Sequence, residues 1–137
     1  MLPNGDGCYS VAAMCGEQVV GFSALAPARW TPPLEKYGDV LIHSIEVAES
    51  FRRRGIGRQL ITMLVDWARS SGYRQIRAWS SYESPEALNM WYAMGYAMCP
   101  AYEPFYENGQ VAYEDGKAKG LNPGYYYAKV LNLMPTR

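Results

Sequence analysis

Arg52-Arg53-Arg54-Gly55-Ile56-Gly57-Arg58 is the stretch whose reading decides the fold. Before it runs Val40-Leu41-Ile42-His43-Ser44-Ile45-Glu46-Val47, an apolar segment of strand character. After it, Ile56 to Ser71 is patterned as a helix: Ile56, Leu60, Leu64 and Trp67, flanked by Ile61, Val65 and Ala68, recur at i, i+4, i+7 spacing on one broad face. Arg58, Gln59, Thr62, Asp66 and Arg69 are left mostly for the other face, and Gly72 stops the segment. A strand, a glycine-containing basic turn and a helix N-terminus together make an anion site. The first-turn N–H groups of a helix have no intrahelical acceptor, and the positive end of the helix dipole lies behind them. Glycine lets the backbone come close to a phosphate, and arginine adds charge and forked donors.

Spacing excludes the commoner phosphate binders. A dinucleotide fold wants G-x-G-x-x-G, but Leu60 stands where the third glycine belongs. A Walker loop wants G-x-x-x-x-G-K-[ST], and the chain has no such run. Downstream, Tyr73 to Ser80 alternates as a strand, and Ser84-Pro85-Glu86 offers an N-cap, a first-turn proline and a first-turn acid. A second helix is expected from about Pro85 to Met94, ending at Gly95.

The basic turn fits R/Q-x-x-G-x-G/A from Arg52, and Ala87-x-x-Met90-Trp91-x-x-Met94-Gly95-Tyr96 looks like A-x-x-[FL]-Y-x-x-x-G-[FY], with Met90 and Trp91 in place of its [FL] and Y. Two such motifs, in order and joined by strand-helix-strand elements, resemble the GNAT superfamily of acyl-CoA-dependent N-acetyltransferases, roughly from Val11 to Tyr96. The resemblance implies an α/β (α+β) fold with a mixed, mostly antiparallel central sheet and helices on its faces. It implies acetyl-CoA as co-substrate, with Gly55, Ile56 and Gly57 giving backbone N–H groups to the pyrophosphate while Arg52, Arg53, Arg54 and Arg58 surround it. Backbone N–H groups near Ile45, Glu46 and Val47 would polarise the acyl carbonyl, and Ser84 and Trp91 complete the expected cofactor-binding set. The reaction implied is transfer of an acetyl group to a primary amine of a small molecule or peptide, by direct attack in a ternary complex.

Two departures from the family pattern bear on this. Only seven residues precede Cys8, so the strand and two helices usual before the first hairpin are expected to be lacking. The uncovered face would then be closed by the Pro100–Gly124 segment and a second subunit, hence a homodimer. The family often places a tyrosine four residues before the motif glycine to protonate the leaving thiolate; here that position is Trp91, with Tyr92 beside it as the substitute, about 100 degrees round the helix. Trp91 either packs beside the pantetheine arm or lies in the core. For the base that frees the attacking amine, Glu46 ranks ahead of His43, with Asp39 also in view; strict alternation puts Glu46 with Val40, Ile42 and Ser44, and His43 with Leu41, Ile45 and Val47. An active enzyme and a catalytically weak acyl-CoA-binding module both remain open readings.

The rest of the chain sets bounds. Its 137 residues suit one domain, 1–137, with almost half of the side chains apolar. Thirteen basic and 13 acidic residues cancel, which argues against a general nucleic-acid binder. There is no apolar run long enough for a membrane span and no signal-peptide pattern at the N-terminus, so a cytoplasmic protein is expected. Cys8, Cys15 and Cys99 are odd in number and not in C-x-x-C spacing, and His43 is the only histidine; no metal site or disulfide framework is expected, and the thiols are read as small buried hydrophobes. Cys8–Cys15 and Gln18–Leu25 form a hairpin about Gly16-Glu17. The proline-bearing Ala26–Gly38 link is placed near the site mouth. Pro100–Gly124, rich in tyrosine and acid, carries the turn signals Asn108-Gly109 and Asp115-Gly116 and is either an acceptor pocket for a cationic amine or a surface hairpin, and Tyr125–Leu131 closes the sheet.

Overall fold

The computed structural model describes residues 8–28, 38–81, 85–104, 106–108 and 110–133. Most of the Ala26–Gly38 link and the Ser84 cap position lie outside these residues. Strands β1 (Tyr9–Cys15), β2 (Gln18–Pro27) and β3 (Asp39–Val47) are followed by a single 3-10 turn (Glu49–Phe51), helix α1 (Ile56–Ser70), strand β4 (Gln75–Ser81), helix α2 (Pro85–Ala93) and strand β5 (Ala97–Pro104). Two short hairpins come next, β6 (Tyr106–Glu107) with β7 (Gln110–Val111) and β8 (Tyr113–Glu114) with β9 (Lys117–Ala118), before the long strand β10 (Leu121–Val130). The sheet runs β1-β2-β3-β4-β10-β5, and the β3–β4 pairing is parallel while β1–β2, β2–β3 and β10–β5 are antiparallel. This is the mixed, mostly antiparallel sheet with two helices on its faces that the motifs imply.

By contacts the chain forms two compact units, residues 1–78 with 129–137, and residues 79–128. In the first, α1 lies on β1, β2 and β3. Its apolar stripe sends Leu60, Ile61, Leu64, Val65 and Ala68 into a core shared with Val11, Leu25, Val40 and Ile42. At full burial each of the leucine, isoleucine and valine side chains contributes about 1.5–3 kcal/mol, which is why an amphipathic segment holds its helix here although it lacks a side-chain N-cap. The helix and β2 come so close at Gly21 that a Cβ there would sit 3.1 Å from Ile56 Cγ2 and 3.2 Å from Leu60 Cδ1. In the second unit Trp91 and Tyr127 stack at 4.7 Å, with Tyr96 edge-on to Trp91 at 4.9 Å. Gly124 lets β10 pass β4: a Cβ there would overlap the Ser80 carbonyl oxygen and lie 2.6 Å from the Trp79 ring.

Three expectations are corrected. Pro100–Gly124 is not one separate segment: β5 extends to Pro104 and β10 starts at Leu121, with the paired hairpins between them. Prolines at 100, 104 and 123 hid this ladder, yet they fall on one parity of it, the positions whose N–H points away from the partner strand. Cys15 and Cys99 are exposed free thiols rather than buried ones, and Cys8 is half-buried. The third concerns β3. Its register on β2 passes from Ala24↔Ser44 to Leu25↔Ile42, so His43 is an extra, unpaired residue, a β-bulge. The bulge reverses the alternation: Ile45 and Val47 share the face of Ile42 and Val40, whereas Glu46 and Ser44 lie on the other face with Leu41. Strict alternation gave the opposite grouping.

Candidate active site

The basic turn is built from the end of β3 outward. Ala48 N–H donates to the Val20 carbonyl at 2.8 Å, which ends the pairing with β2, and the 3-10 turn then reverses the chain. Arg52 folds back and its Nε donates to the Val47 carbonyl at 2.9 Å, so this arginine braces the corner between strand and turn. Arg53 has φ 65° and Gly55 φ 79°, two left-handed residues separated by Arg54. Left-handed residues alternating with ordinary ones turn successive N–H groups toward one concavity, the geometry of an anion-binding nest. For Arg53 that conformation carries a steric cost, of order 1–2 kcal/mol; Gly55 adopts it freely.

Helix α1 opens at Ile56 directly after this nest. The first N–H of the helix region to find an acceptor is that of Gln59, on the Gly55 carbonyl at 3.0 Å. The donors of Ile56, Gly57 and Arg58 come before it, where helix geometry offers no intrahelical partner. Gly57 seats this first turn against the strand, its Cβ position 3.7 Å from Ile45 Cδ1 and 3.8 Å from Val47 Cγ2. The guanidinium of Arg54 lies over the Phe51 ring at 5.2 Å, and Arg52, Arg53, Arg54 and Arg58 are all exposed. The donor set is a concave row of backbone N–H groups ringed by cations at a helix N-terminus, and it fits a pyrophosphate. Phe51 escaped the sequence reading; an aromatic one residue before the arginines was the only sign of it.

β3 supplies a second element. It pairs with β4 only at Asp39↔Gln75, Val40↔Ile76 and Leu41↔Arg77. From Ile42 to Val47 it continues without β4, so among the described residues alternate backbone groups on that side have no strand partner. His43 and Glu46 on this stretch are exposed, and Ile45, Val47 and Ser44 are half-buried. The bulge is held by Ser23, fully buried, whose Oγ donates to the Ser44 carbonyl at 2.7 Å. That partner was also missed; its sign was a serine inside the apolar run Val19–Leu25. Asp39, considered as a base, is committed elsewhere: its carboxylate is buried and held by Arg74. In the other unit Trp91 is buried in its aromatic stack, while Tyr92, the next residue, is 72% exposed.

A model of the acetyltransferase (GNAT) family matches residues 2–96, and the chain belongs to that family. Among known proteins it is 34% identical over 77 residues to an uncharacterised N-acetyltransferase of Methanocaldococcus jannaschii, covering 56% of this chain and 34% of that protein. To the N-alpha-acetyltransferase RimI of Mycobacterium tuberculosis it is 30% identical over 89 residues, 64% of this chain and 51% of the other. The chain spans 27% to 51% of the lengths of the curated relatives it matches. Its fold is similar to that of yncA, a putative acetyltransferase from Salmonella typhimurium solved with acetyl-CoA, with a TM-score of 0.70 at 16% identity over 96% of this chain and 69% of that one. No helix among the described residues is long and apolar enough to cross a membrane.

Proposed function

We propose that the protein is an acetyl-CoA-dependent N-acetyltransferase acting on a primary amine of a small molecule or peptide by direct attack in a ternary complex. The observation that carries this is the nest at Arg53 and Gly55 leading straight into the open N-terminus of α1. Acetyl-CoA supplies the activated acyl group, and every other task falls to the chain. The N–H groups of Gly55, Ile56 and Gly57 hold the pyrophosphate, with Arg53, Arg54 and Arg58 adding charge. Unpaired backbone groups between Ile42 and Val47 bind the pantetheine amides as a strand would and place an N–H near Ile45–Val47 on the carbonyl oxygen, where charge develops.

The attacking amine must lose a proton, and Glu46 takes that part ahead of His43. The bulge supports either residue, since it removes the strict alternation that would set them on opposite faces. Glu46→Gln should lower kcat/KM about 10²–10⁴-fold if Glu46 is the base, read as thiol release across pH; unchanged kcat/KM removes it. Protonation of the leaving thiolate is assigned to Tyr92. Because Trp91, at the family's tyrosine position, is sequestered in an aromatic stack, a weakly catalytic acyl-CoA-binding module is the second reading.

Two measurements decide. Thermal stabilisation by acetyl-CoA tests binding, since a ligand at 100 times its Kd adds about 2.7 kcal/mol. Thiol release with a panel of amines, including peptide N-termini because of the resemblance to an N-alpha-acetyltransferase, separates enzyme from binder. A cytoplasmic homodimer belongs to the same proposal, supported by the exposed apolar side chains Met14, Val19 and Leu41 on β1, β2 and β3. A fully active monomer in light scattering at micromolar concentration removes the dimer.

A further inference from the structure

The bulge in β3 is anchored from the neighbouring strand, and the anchor grips a single peptide. Ser23 of β2 is fully buried on the face that α1 covers, since Gly21, the preceding residue of the same parity, is where a Cβ would meet Ile56 and Leu60. Opposite Ser23 in the ladder stands Ile45, which shares that face; its Cδ1 lies 3.7 Å from the Cβ position of Gly57 in the first turn of α1. A hydroxyl among such neighbours adds nothing to apolar packing and must find an acceptor. It finds the Ser44 carbonyl, at 2.7 Å.

Ala48, next after β3, donates its N–H to the Val20 carbonyl across the β2–β3 ladder. In an antiparallel strand the N–H and C=O of one residue point to the same side, and the side alternates along the chain. Ala48, Glu46 and Ser44 therefore turn these groups toward β2, whereas Val47 and Ile45 turn theirs away. Arg52 Nε meets the Val47 carbonyl on that outer side. The Ser44 carbonyl and the Ile45 N–H belong to one planar trans peptide and point opposite ways. A donor that grips the carbonyl oxygen from β2 thus fixes the direction of the Ile45 N–H on the outer side of β3, which among the described residues has no strand partner beyond Leu41. This peptide adjoins the extra residue His43, where the ladder is disrupted and holds the backbone least.

We propose that Ser23 is a positioning residue: through the Ser44–Ile45 peptide it aims the Ile45 N–H at the thioester carbonyl oxygen of bound acetyl-CoA. This rests on the acetyl-CoA reading above and narrows it. Of the N–H groups of Ile45, Glu46 and Val47, that of Glu46 is turned to β2. That of Val47 shares a peptide with the Glu46 carbonyl, which the regular ladder opposite Phe22 already directs. Ser23 itself touches no ligand. A donor aimed in advance needs no reorganisation as charge builds on the oxygen. Because that charge develops only in the transition state, the hydroxyl should matter to kcat more than to KM.

Acetyl-CoA labelled with carbon-13 at the acetyl carbonyl reports this directly, with no amine present and no turnover. In the wild-type complex the carbonyl signal should lie downfield of that of free acetyl-CoA, because a carbonyl that accepts a hydrogen bond is polarised. Ser23→Ala should lose most of that displacement, while the calorimetric affinity for acetyl-CoA stays within about twofold of wild type. With an amine acceptor its kcat should fall about tenfold to 10²-fold at unchanged KM for acetyl-CoA, the scale of a small misplacement at a reacting centre. Ser23→Cys keeps the size of the side chain but only a weak donor and should fall between; it decides the matter if Ser23→Ala does not fold. Ile61→Val, a change in the buried stripe of α1, controls for lost stability and should leave signal and kcat at wild-type values. A displacement that is absent from the wild-type complex, unchanged in Ser23→Ala, or reduced equally by Ile61→Val overturns the role of Ser23 and leaves the acetyl-CoA reading standing. A wild-type protein that does not bind acetyl-CoA overturns both.

Discussion

The two ends of β3 use arginine in opposite ways. At Asp39 two guanidinium groups converge on one buried carboxylate, and charge is consumed inside the fold. At Arg52–Arg58 four guanidinium groups stand exposed around backbone donors, one of them bracing a carbonyl and another lying on Phe51. A paired, desolvated charge holds structure and is costly to remove. An exposed cation at a helix N-terminus contributes little to stability and is available to an anion. The contrast shows that residue type does not distinguish a clamp from a binding site; burial and partnership do.

The largest effect should come from breaking the buried end. Asp39→Ala removes the carboxylate on which Arg74 and Arg77 converge and should cost about 1.5–3 kcal/mol in chemical denaturation, the range for hydrogen bonds to a charged group, since both guanidinium groups keep part of their solvent; a loss below about 1 kcal/mol would mean that the pairing is no stronger than a surface one. The exposed end should behave inversely. Replacing Arg53, Arg54 and Arg58 together by alanine should change stability by no more than about 0.5 kcal/mol. Acetyl-CoA affinity should nonetheless fall steeply and lose most of its dependence on salt, since exposed charge is what salt screens. An unchanged salt dependence in titration calorimetry would show that backbone donors alone hold the phosphates.

Gly55 and Gly57 sharpen the same comparison at smaller scale. Gly55→Ala imposes a Cβ on φ 79°, at a cost of about 1–2 kcal/mol. Gly57→Ala meets only ordinary van der Waals neighbours, Ile45 and Val47, and should leave stability within about 1 kcal/mol of wild type, with any change toward stabilisation. Equal losses at the two positions would argue against the left-handed cap.

Much of the unit around α1 could be read from local pattern. The helix stripe from Leu60 to Ala68, the basic turn and the family motif need only neighbours in sequence, and so do the turn signals Asn108-Gly109 and Asp115-Gly116, whose flanking residues pair as hairpins. The features that escaped depend on partners far away in the chain. Arg74 and Asp39 are 35 residues apart, and nothing in their flanks announces the pair. The bulge at His43 exists only relative to β2, and it shifted the grouping of Glu46 by one face. β5 was concealed because proline is a fair sign of a loop until a sheet edge excuses it. Trp91 left two locations open, and it took the aromatic partner Tyr127, 36 positions on in the sequence, to fill one of them.

The prolines of β5 have a bearing on assembly. β5 is the last strand of the sheet, and Pro100 and Pro104 take the ladder positions that face outward. At those two places the rim of the sheet offers no hydrogen for another chain to accept. An extended segment from a neighbour laid along this rim would meet gaps where a continuing sheet needs donors, so the molecule resists being lengthened strand by strand from this side. Any lasting pair of these molecules must therefore meet through side-chain surface rather than by splicing two sheets together at β5.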